Sequence, residues 1–545
     1  MKERSEYKNN FIMQAGILAI AGIIVRIIGF LYRAPLTAVI GDEGNGYYSF
    51  AYNIYVNILL ISSYSIPSAI SKIMAPKLAL KEYKNAQRIF RCALIYVTVV
   101  GIAGAAFAFF AARSLVVDNA VPVLRIFAPT IFLSGFLGVF RGYFQAHKSM
   151  IPTSISQILE QIINAGVSIG AALLFIKLLG DGADATQKAI RGASGSAFGT
   201  GSGVLIALLF VGGIYFLNRT RIRQKVESDY HKAPDSFAVI FKELLLVVTP
   251  FILSTFIYNC STAVNQTIYA KVMMKVHELS MSQISVFYGI YSGKGVVLRN
   301  VPVALASAMS AAIIPTIAEA WTLNDKKGCR HKLDRAMKTT MIVAIPCVFG
   351  FVFLAKPIIM FLFPQKESIE LASYVLMGLA ITVVFYCMST ITNGVLQSIG
   401  QVNKPVIHAA IALGLQSMLL FVLLRFTGLN IYALVIVDIF YSLTMCILNG
   451  LALKKHMKYH QEYISSIIMP ALCALVMGIV TFGIYHLFYK FTERNLLSLC
   501  ISVAFAVVIY FVLIIVTRTV NEDEIKGFPK GATLLRLAKK VRLIR

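Results

Sequence analysis

Four cations, Arg26, Arg33, Lys294 and Arg299, stand inside long apolar stretches of this 545-residue chain. A charge near the centre of a membrane helix costs about 2.5–3.5 kcal/mol on insertion scales, so such residues are functional candidates by default. Arg grips phosphate oxygens in a bidentate way and Lys acts as a point charge, so the four together suit a diphosphate. Arg26 and Arg33 are seven residues apart, nearly two helical turns, and fall on similar faces. The plainer reading is that Arg33 and Arg299 snorkel toward an interface or pair within the protein.

Two acids lie equally deep, Glu160 and Asp438. Each could neutralise an arginine, bind a cation or carry a proton. Asp42 and Glu43 are expected in a solvated outer loop. Asn53, Asn57, Asn259, Asn265 and Gln266 are candidates for sugar contacts, or they join helices by hydrogen bonds. Other signals carry no chemistry. GIYSGKG (289–295) lacks phosphate-loop spacing and has Gly295 where a Mg²⁺-binding hydroxyl would stand. Gly195, Gly199 and Gly203 form small-xxx-small spacing, which close helix packing explains. No histidine pair forms H-E-x-x-H, and the eight cysteines never form C-x-x-C. No catalytic residue, metal site or cofactor is expected.

The elements that must carry these residues are membrane helices. Hydrophobic residues make up 58% of the chain and charged residues 14%. A soluble protein cannot bury that much apolar surface, so lipid must be part of the solvent. The reading is an all-α polytopic membrane protein with about fourteen spans of roughly 20 residues or more. Their limits are 11–40, 46–75, 89–112, 120–144, 151–179, 190–217, 243–270, 283–318, 339–361, 368–396, 405–426, 430–453, 463–488 and 496–517.

The net charge of +26 comes from 51 Lys and Arg against 25 Asp and Glu. Nucleic acid is not the expected partner, because the basic residues collect in alternate loops. With a cytoplasmic N-terminus, roughly 34 basic residues fall inside and roughly 11 outside. That places both termini in the cytoplasm. The tail 518–545 can form a basic amphipathic helix, with Leu534, Leu535, Leu537, Ala538, Val541 and Ile544 on one face, lying on anionic lipid. Trp321 stands where an interfacial anchor belongs.

The halves repeat. SAISKIMAP (68–76) matches SAMSAAIIP (307–315) at Ser, Ala, Ser and Pro. RGYFQAHKSMIP (141–152) and NGVLQSIGQVNKP (393–405) share G-x-x-Q and a later proline. Both pairs occupy matching topological positions, so one duplication explains them. The expected organisation is a six-helix lobe over 1–217, a linker over 218–236, a second six-helix lobe over 237–458 and two further spans over 459–517. Parallel repeats of this kind suit transporters that rock two lobes around a midplane site.

RIIGFLYRAPLTAVIGDEGNGYYSFAY (26–52), IPSAISKIMAPKLA (66–79), RGYFQAHKSMIPTSISQILEQ (141–161) and YGIYSGKGVVLRNVPVALASAMSAAIIPTIAEA (288–320) resemble the multidrug/oligosaccharidyl-lipid/polysaccharide (MOP) exporter superfamily. Within it the chain resembles the stage V sporulation protein B / YtgP branch, polysaccharide-type flippases related to the MurJ lipid II flippases. The resemblance spans essentially the whole chain. It implies a V-shaped, MATE-like pair of lobes exposing a central cavity to alternate sides, with the extra two helices forming a groove for a polyprenyl tail. It implies no enzyme, but a flippase for an undecaprenyl-diphosphate-linked sugar such as lipid II, serving the cell wall or sporulation. Such a protein would sit in a bacterial cytoplasmic membrane, with the glycolipid as substrate and cell-wall synthesis proteins as partners. The alternatives are a flippase for another polyprenyl-linked polysaccharide unit, or a MATE-like cation or drug antiporter, whose cavity should be lined by acids. A membrane glycosyltransferase would need a poised acid at an outer face, where only Asp42 and Glu43 are available.

Overall fold

The computed structural model describes residues 17–520 except 19, 65, 181 and 230–234; side chains 64, 250–255, 257, 258, 311 and 312 are also outside the description. The expected amphipathic tail lies almost wholly in 521–545, outside the described residues. The described residues form helices joined by short turns, with no strand among them. We label the helices α1 (Ile20–Leu31), α2 (Arg33–Leu59), α3 (Ile66–Ala79), α4 (Tyr83–Phe110), α5 (Val121–Ala146), α6 (Ile151–Lys177), α7 (Ala185–Leu217), α8 (Phe237–Val276) and α9 (Met281–Gly289). They continue as α10 (Val297–Thr322), α11 (Lys326–Leu362), α12 (Ile369–Ser398), α13 (Asn403–Phe426), α14 (Ile431–Met457), α15 (Met469–Thr492) and α16 (Asn495–Val516).

Twelve helical stretches among the described residues are long and apolar enough to cross a membrane. They match twelve of the fourteen expected spans. The other two, 11–40 and 243–270, fall on α1 with the start of α2 and on α8, both of which adjoin or contain residues outside the description. The first two spans meet at Gly41, whose φ of 70° and ψ of 179° only glycine adopts without strain. The turn is so tight that helix resumes at once. Asp42 and Glu43 are therefore not in a solvated loop, as the sequence led us to expect. Asp42 is buried. Glu43 accepts from Tyr47 Oη at 2.8 Å and from Thr186 Oγ1 at 2.9 Å.

By its contacts the chain divides within the π-helical turn Ile290–Val296, into 1–293 and 294–545. The first unit includes α8 and α9, because both pack on α2. Its core draws Ile70 and Met74 from α3, Phe90 from α4, Tyr143 from α5, Val204 from α7 and Val248 from α8. The glycine stripe of α7 lies directly on α6. A Cβ at Gly195 would stand 2.5 Å from the Ala171 carbonyl, and one at Gly203 2.5 Å from the Glu160 carbonyl. Only glycine permits that approach, and no ligand is needed to explain it. The second unit builds its core from α10, α11, α12, α14, α15 and α16, around Ile317, Met341, Cys387, Leu453, Met477 and Tyr510. Its α11 kinks at Leu354, beside Pro357, as proline in a helix interior requires.

The repeated motifs meet in the same way in each unit. A Cβ at Gly142 would lie 2.9 Å from the Pro67 carbonyl and 3.0 Å from Ile70 Cβ. Its counterpart Gly394 packs on Ser310 and Ile314. In both units the G-x-x-Q helix thus closes on the helix carrying the S-A-x-S motif. Both units leave large apolar side chains exposed, such as Leu174, Phe216, Phe421 and Val507, as a surface solvated by lipid does.

Candidate functional site

In the first unit the polar machinery is carried by α2. Tyrosines at 48, 52 and 55 recur at helical spacing and form one aromatic face. Tyr48 stacks on Tyr52 at 5.5 Å, Tyr52 tilts against Tyr55 at 5.8 Å, and Tyr55 stacks on Phe127 of α5 at 4.6 Å. Arg33 lies over this face. Its guanidinium carbon is 5.2 Å from the Tyr48 ring centroid and 5.7 Å from that of Tyr32. Among the described residues no carboxylate pairs with it. Cation–π contact of this kind is worth about 0.5–2 kcal/mol and leaves the donors of the fork uncommitted. Arg26 is exposed on α1, two turns earlier.

Beside this face runs a hydrogen-bonded chain joining three helices. Asn53 Nδ2 donates to Gln266 Oε1 at 2.8 Å and to Tyr288 Oη at 3.1 Å. Gln266 Nε2 donates to the Phe50 carbonyl at 3.0 Å. Asn57 donates to the Asn53 carbonyl at 2.7 Å and keeps its buried Oδ1 without a donor. Asn259 and Asn265 are half-buried on α8. Glu160 forms an ion pair with Arg141 at 2.7 Å, and Arg141 Nε donates to Ser156 Oγ at 2.9 Å.

The second unit treats its cations differently. Lys294 is fully buried in the π-helical turn. Its Nζ donates to Ser368 Oγ at 2.7 Å and lies 5.5 Å from the Phe363 ring centroid. Arg299 pairs with Asp438 and stacks 4.6 Å over Tyr386, whose Oη donates to the other carboxylate oxygen at 2.6 Å. Asn300 Oδ1 accepts from Arg299 Nη2 at 3.1 Å. A second buried chain runs from His408 through Asn449 Oδ1 at 2.8 Å, then from Asn449 Nδ2 to Asn393 Oδ1 at 2.8 Å.

This unit also holds a cavity of about 690 Å³ with apolar walls. Its sides come from α11, α12 and α14, including Val348, Phe385, Met388 and Ile447. The extra pair contributes Tyr463, Ile467 and Ala471. Lys454, His460 and Gln461 line it at one polar edge.

The site residues named from sequence thus fall two cations to a unit, each deep acid already paired with an arginine. Sequence reasoning missed Tyr48, Tyr52, Tyr55, Arg141 and Tyr386. The tyrosine spacing on α2 was a visible signal; the partners of Arg141 and Arg299 were not. No cluster of three His, Cys, Asp or Glu side chains occurs among the described residues.

A family model described as polysaccharide biosynthesis protein matches residues 12–321, and one described as MatE matches 295–422. The chain is 24% identical over 417 residues to the lipid II flippase MurJ of Bacillus subtilis (strain 168), covering 72% of this chain and 74% of that protein. It is 22% identical over 535 residues to stage V sporulation protein B of the same organism, covering 96% and 98%. Among solved structures, lipid II flippase MurJ in an inward closed conformation matches with a TM-score of 0.66 at 15% identity, over 91% of this chain and 97% of that one. An inward-facing MATE family transporter of the MOP superfamily matches with a TM-score of 0.65 at 16% identity, over 81% and 98%. At these identities the structural likeness carries the fold.

Proposed function

Because the chain belongs to the polysaccharide biosynthesis protein family, whose model covers more than half of it, we propose that it flips an undecaprenyl-diphosphate-linked sugar, lipid II in the first instance, across the cytoplasmic membrane. It is a multi-pass membrane protein with the MOP-superfamily fold, and its relatives named for an activity are flippases and transporters rather than enzymes. The observation that carries the reading is Arg33: a guanidinium in an apolar span, held by aromatic faces and paired with no carboxylate among the described residues. Such a group is electrostatically incomplete until an anion arrives, and its fork matches phosphate oxygens. Arg26 and Lys294 remain diphosphate candidates in this reading, whereas Arg299 is already engaged by Asp438. The amides of α2 and α8 are the candidates for sugar. The apolar cavity of the second unit suits part of an isoprenoid chain, and its cationic edge suits the headgroup end.

The movement of six-helix lobes and the cytoplasmic placement of both termini belong to the same reading. No bond is made or broken. A charge crossing 100 mV is worth about 2.3 kcal/mol, enough to bias such a cycle. A drug-cation exporter would need a free deep acid, whereas Glu160 and Asp438 are each engaged by an arginine. The test is rescue of a bacterium depleted of its own lipid II flippases, with outer-leaflet lipid II read by an external probe. The wild-type chain should restore the signal, and Arg33→Ala should insert normally yet fail. A wild-type chain that inserts without restoring it would move the substrate to another polyprenyl-linked glycan.

A further inference from the structure

The first unit contains a second cavity, of about 380 Å³, remote in sequence from the Arg33 face. It opens among the loop-side ends of six elements: α3, α4, α5, α6, α7 and the short helix Arg219–Glu227. Its aromatic side is built by Tyr143, Phe144 and Tyr215, with the His147 imidazole 4.3 Å from the Tyr143 ring and Gln87 Nε2 donating to Tyr215 Oη at 3.0 Å. Across from these, Arg221 and Lys225 line the cavity one turn apart on the short helix. No Asp or Glu lines it among the described residues.

The distribution of acids at this end sharpens the point. Glu227 is taken by Arg223 at 2.7 Å. Glu82 and Asp235 are taken by Lys77 at 3.1 and 2.9 Å. Asp229 accepts from the Lys84 amide at 2.8 Å. Among the described residues, Arg221 and Lys225 have no carboxylate partner. Two cations left unneutralised over a concave, partly aromatic pocket make an anion site, and the volume falls in the range of organic ligands rather than of a bare ion. Basic pockets between the ends of membrane helices are where anionic headgroups bind.

We infer that this cavity binds an organic phosphate ester, its phosphate on Arg221 and Lys225 and its carbon portion against Tyr143, Phe144 and Tyr215. The phosphate comes either from an anionic phospholipid headgroup or from a soluble phosphate ester, and one experiment separates them. The inference stands apart from the transport reading, because neither cation has a part in it. Bound ligand would also tie the short helix to the ends of α4, α5 and α7.

The full-length protein in neutral detergent is titrated with dihexanoyl phosphatidylglycerol, dihexanoyl phosphatidylcholine and glycerol 3-phosphate, with binding read by calorimetry and by thermal shift. Saturable binding of phosphatidylglycerol alone identifies a lipid site; binding of glycerol 3-phosphate as well identifies a soluble ester as sufficient. In either case Arg221→Ala/Lys225→Ala should weaken binding about tenfold or more. The control Arg219→Ala/Arg223→Ala removes the same formal charge from the same helix and should leave binding unchanged. Equal loss in both double variants would reduce the feature to a diffuse cationic surface and overturn the inference, as would the absence of saturable binding by either phosphate probe. Unaltered melting of the unliganded variants separates a lost site from a lost fold.

Discussion

Arg33 and Arg299 are the same residue type in comparably apolar helices, yet they are held in opposite ways. Arg33 rests on the faces of Tyr32 and Tyr48 and keeps its charge. Arg299 also has a tyrosine face, but Asp438 neutralises it and Asn300 takes another part of the fork. The difference separates two uses of a buried cation. One, in the function proposed above, is held ready for an anion. The other clamps α10 to α14 and has little left to offer without breaking that clamp.

The largest effect should come from breaking the clamp on one side. Asp438→Ala leaves Arg299 buried without its counter-charge, which costs about 3–5 kcal/mol in buried pairs. Thermal unfolding in detergent should show a large loss, and Arg299→Met/Asp438→Leu should recover most of it. A loss no greater than that of a surface pair would mean that water reaches Arg299, and the contrast with Arg33 would collapse.

Arg33→Ala should do the reverse. Stability should change by no more than about 1–2 kcal/mol, since only cation–π contact is lost, while rescue in the depletion assay fails. Arg33→Lys keeps the charge but not the fork and should rescue partially. Full rescue by Arg33→Ala would remove the anion role from this residue.

The two tyrosines sharpen the comparison further. Tyr386→Phe deletes a 2.6 Å hydrogen bond to a carboxylate and should cost about 1.5–3 kcal/mol. Tyr48 Oη reaches only Thr200 Oγ1 at 3.5 Å, and its ring does the holding, so Tyr48→Phe should stay within about 0.5 kcal/mol. Unfolding midpoints of the two variants measure the difference directly.

The smallest effect belongs to an ion pair outside the spans. Hydrogen bonds from Asn85 and then Lys77 hold the Glu82 carboxyl below its ordinary value. A carboxylate so shifted contributes stability above its unfolded-state pKa and loses it as the pH falls through the lower folded value. Melting between about pH 5 and pH 3 should therefore show a slight acid-limb loss that Glu82→Gln removes. A drop approaching that of Asp438→Ala would show that burial is not what gives the Arg299 pair its weight.

Much of the fold was legible because it rests on local rules. Apolar runs of helix length located twelve stretches that the structure also presents as candidate spans. The glycine stripe 195–199–203 announced a close contact between α6 and α7, since only a missing Cβ lets backbones touch. The repeat was legible because Gly142 and Gly394 each face a neighbouring motif that had to match them. The solvated loop expected around Asp42 and Glu43 failed because a single glycine makes the turn and helix absorbs the rest. The division at 293/294 could not be read either, since α8 and α9 join the first unit by packing on α2 and no feature of composition marks that place.

The candidate site divides along the same line. Residue type and hydropathy identified which charges lie within apolar helices, because insertion energy depends on a residue and its near neighbours. Whether such a charge is free or spent depends on a partner far along the chain: Asp438 is 139 residues from Arg299, and Glu160 is 19 from Arg141. Electrostatic neutralisation acts through space over a few ångströms, and only the packed arrangement of helices decides which groups come that close.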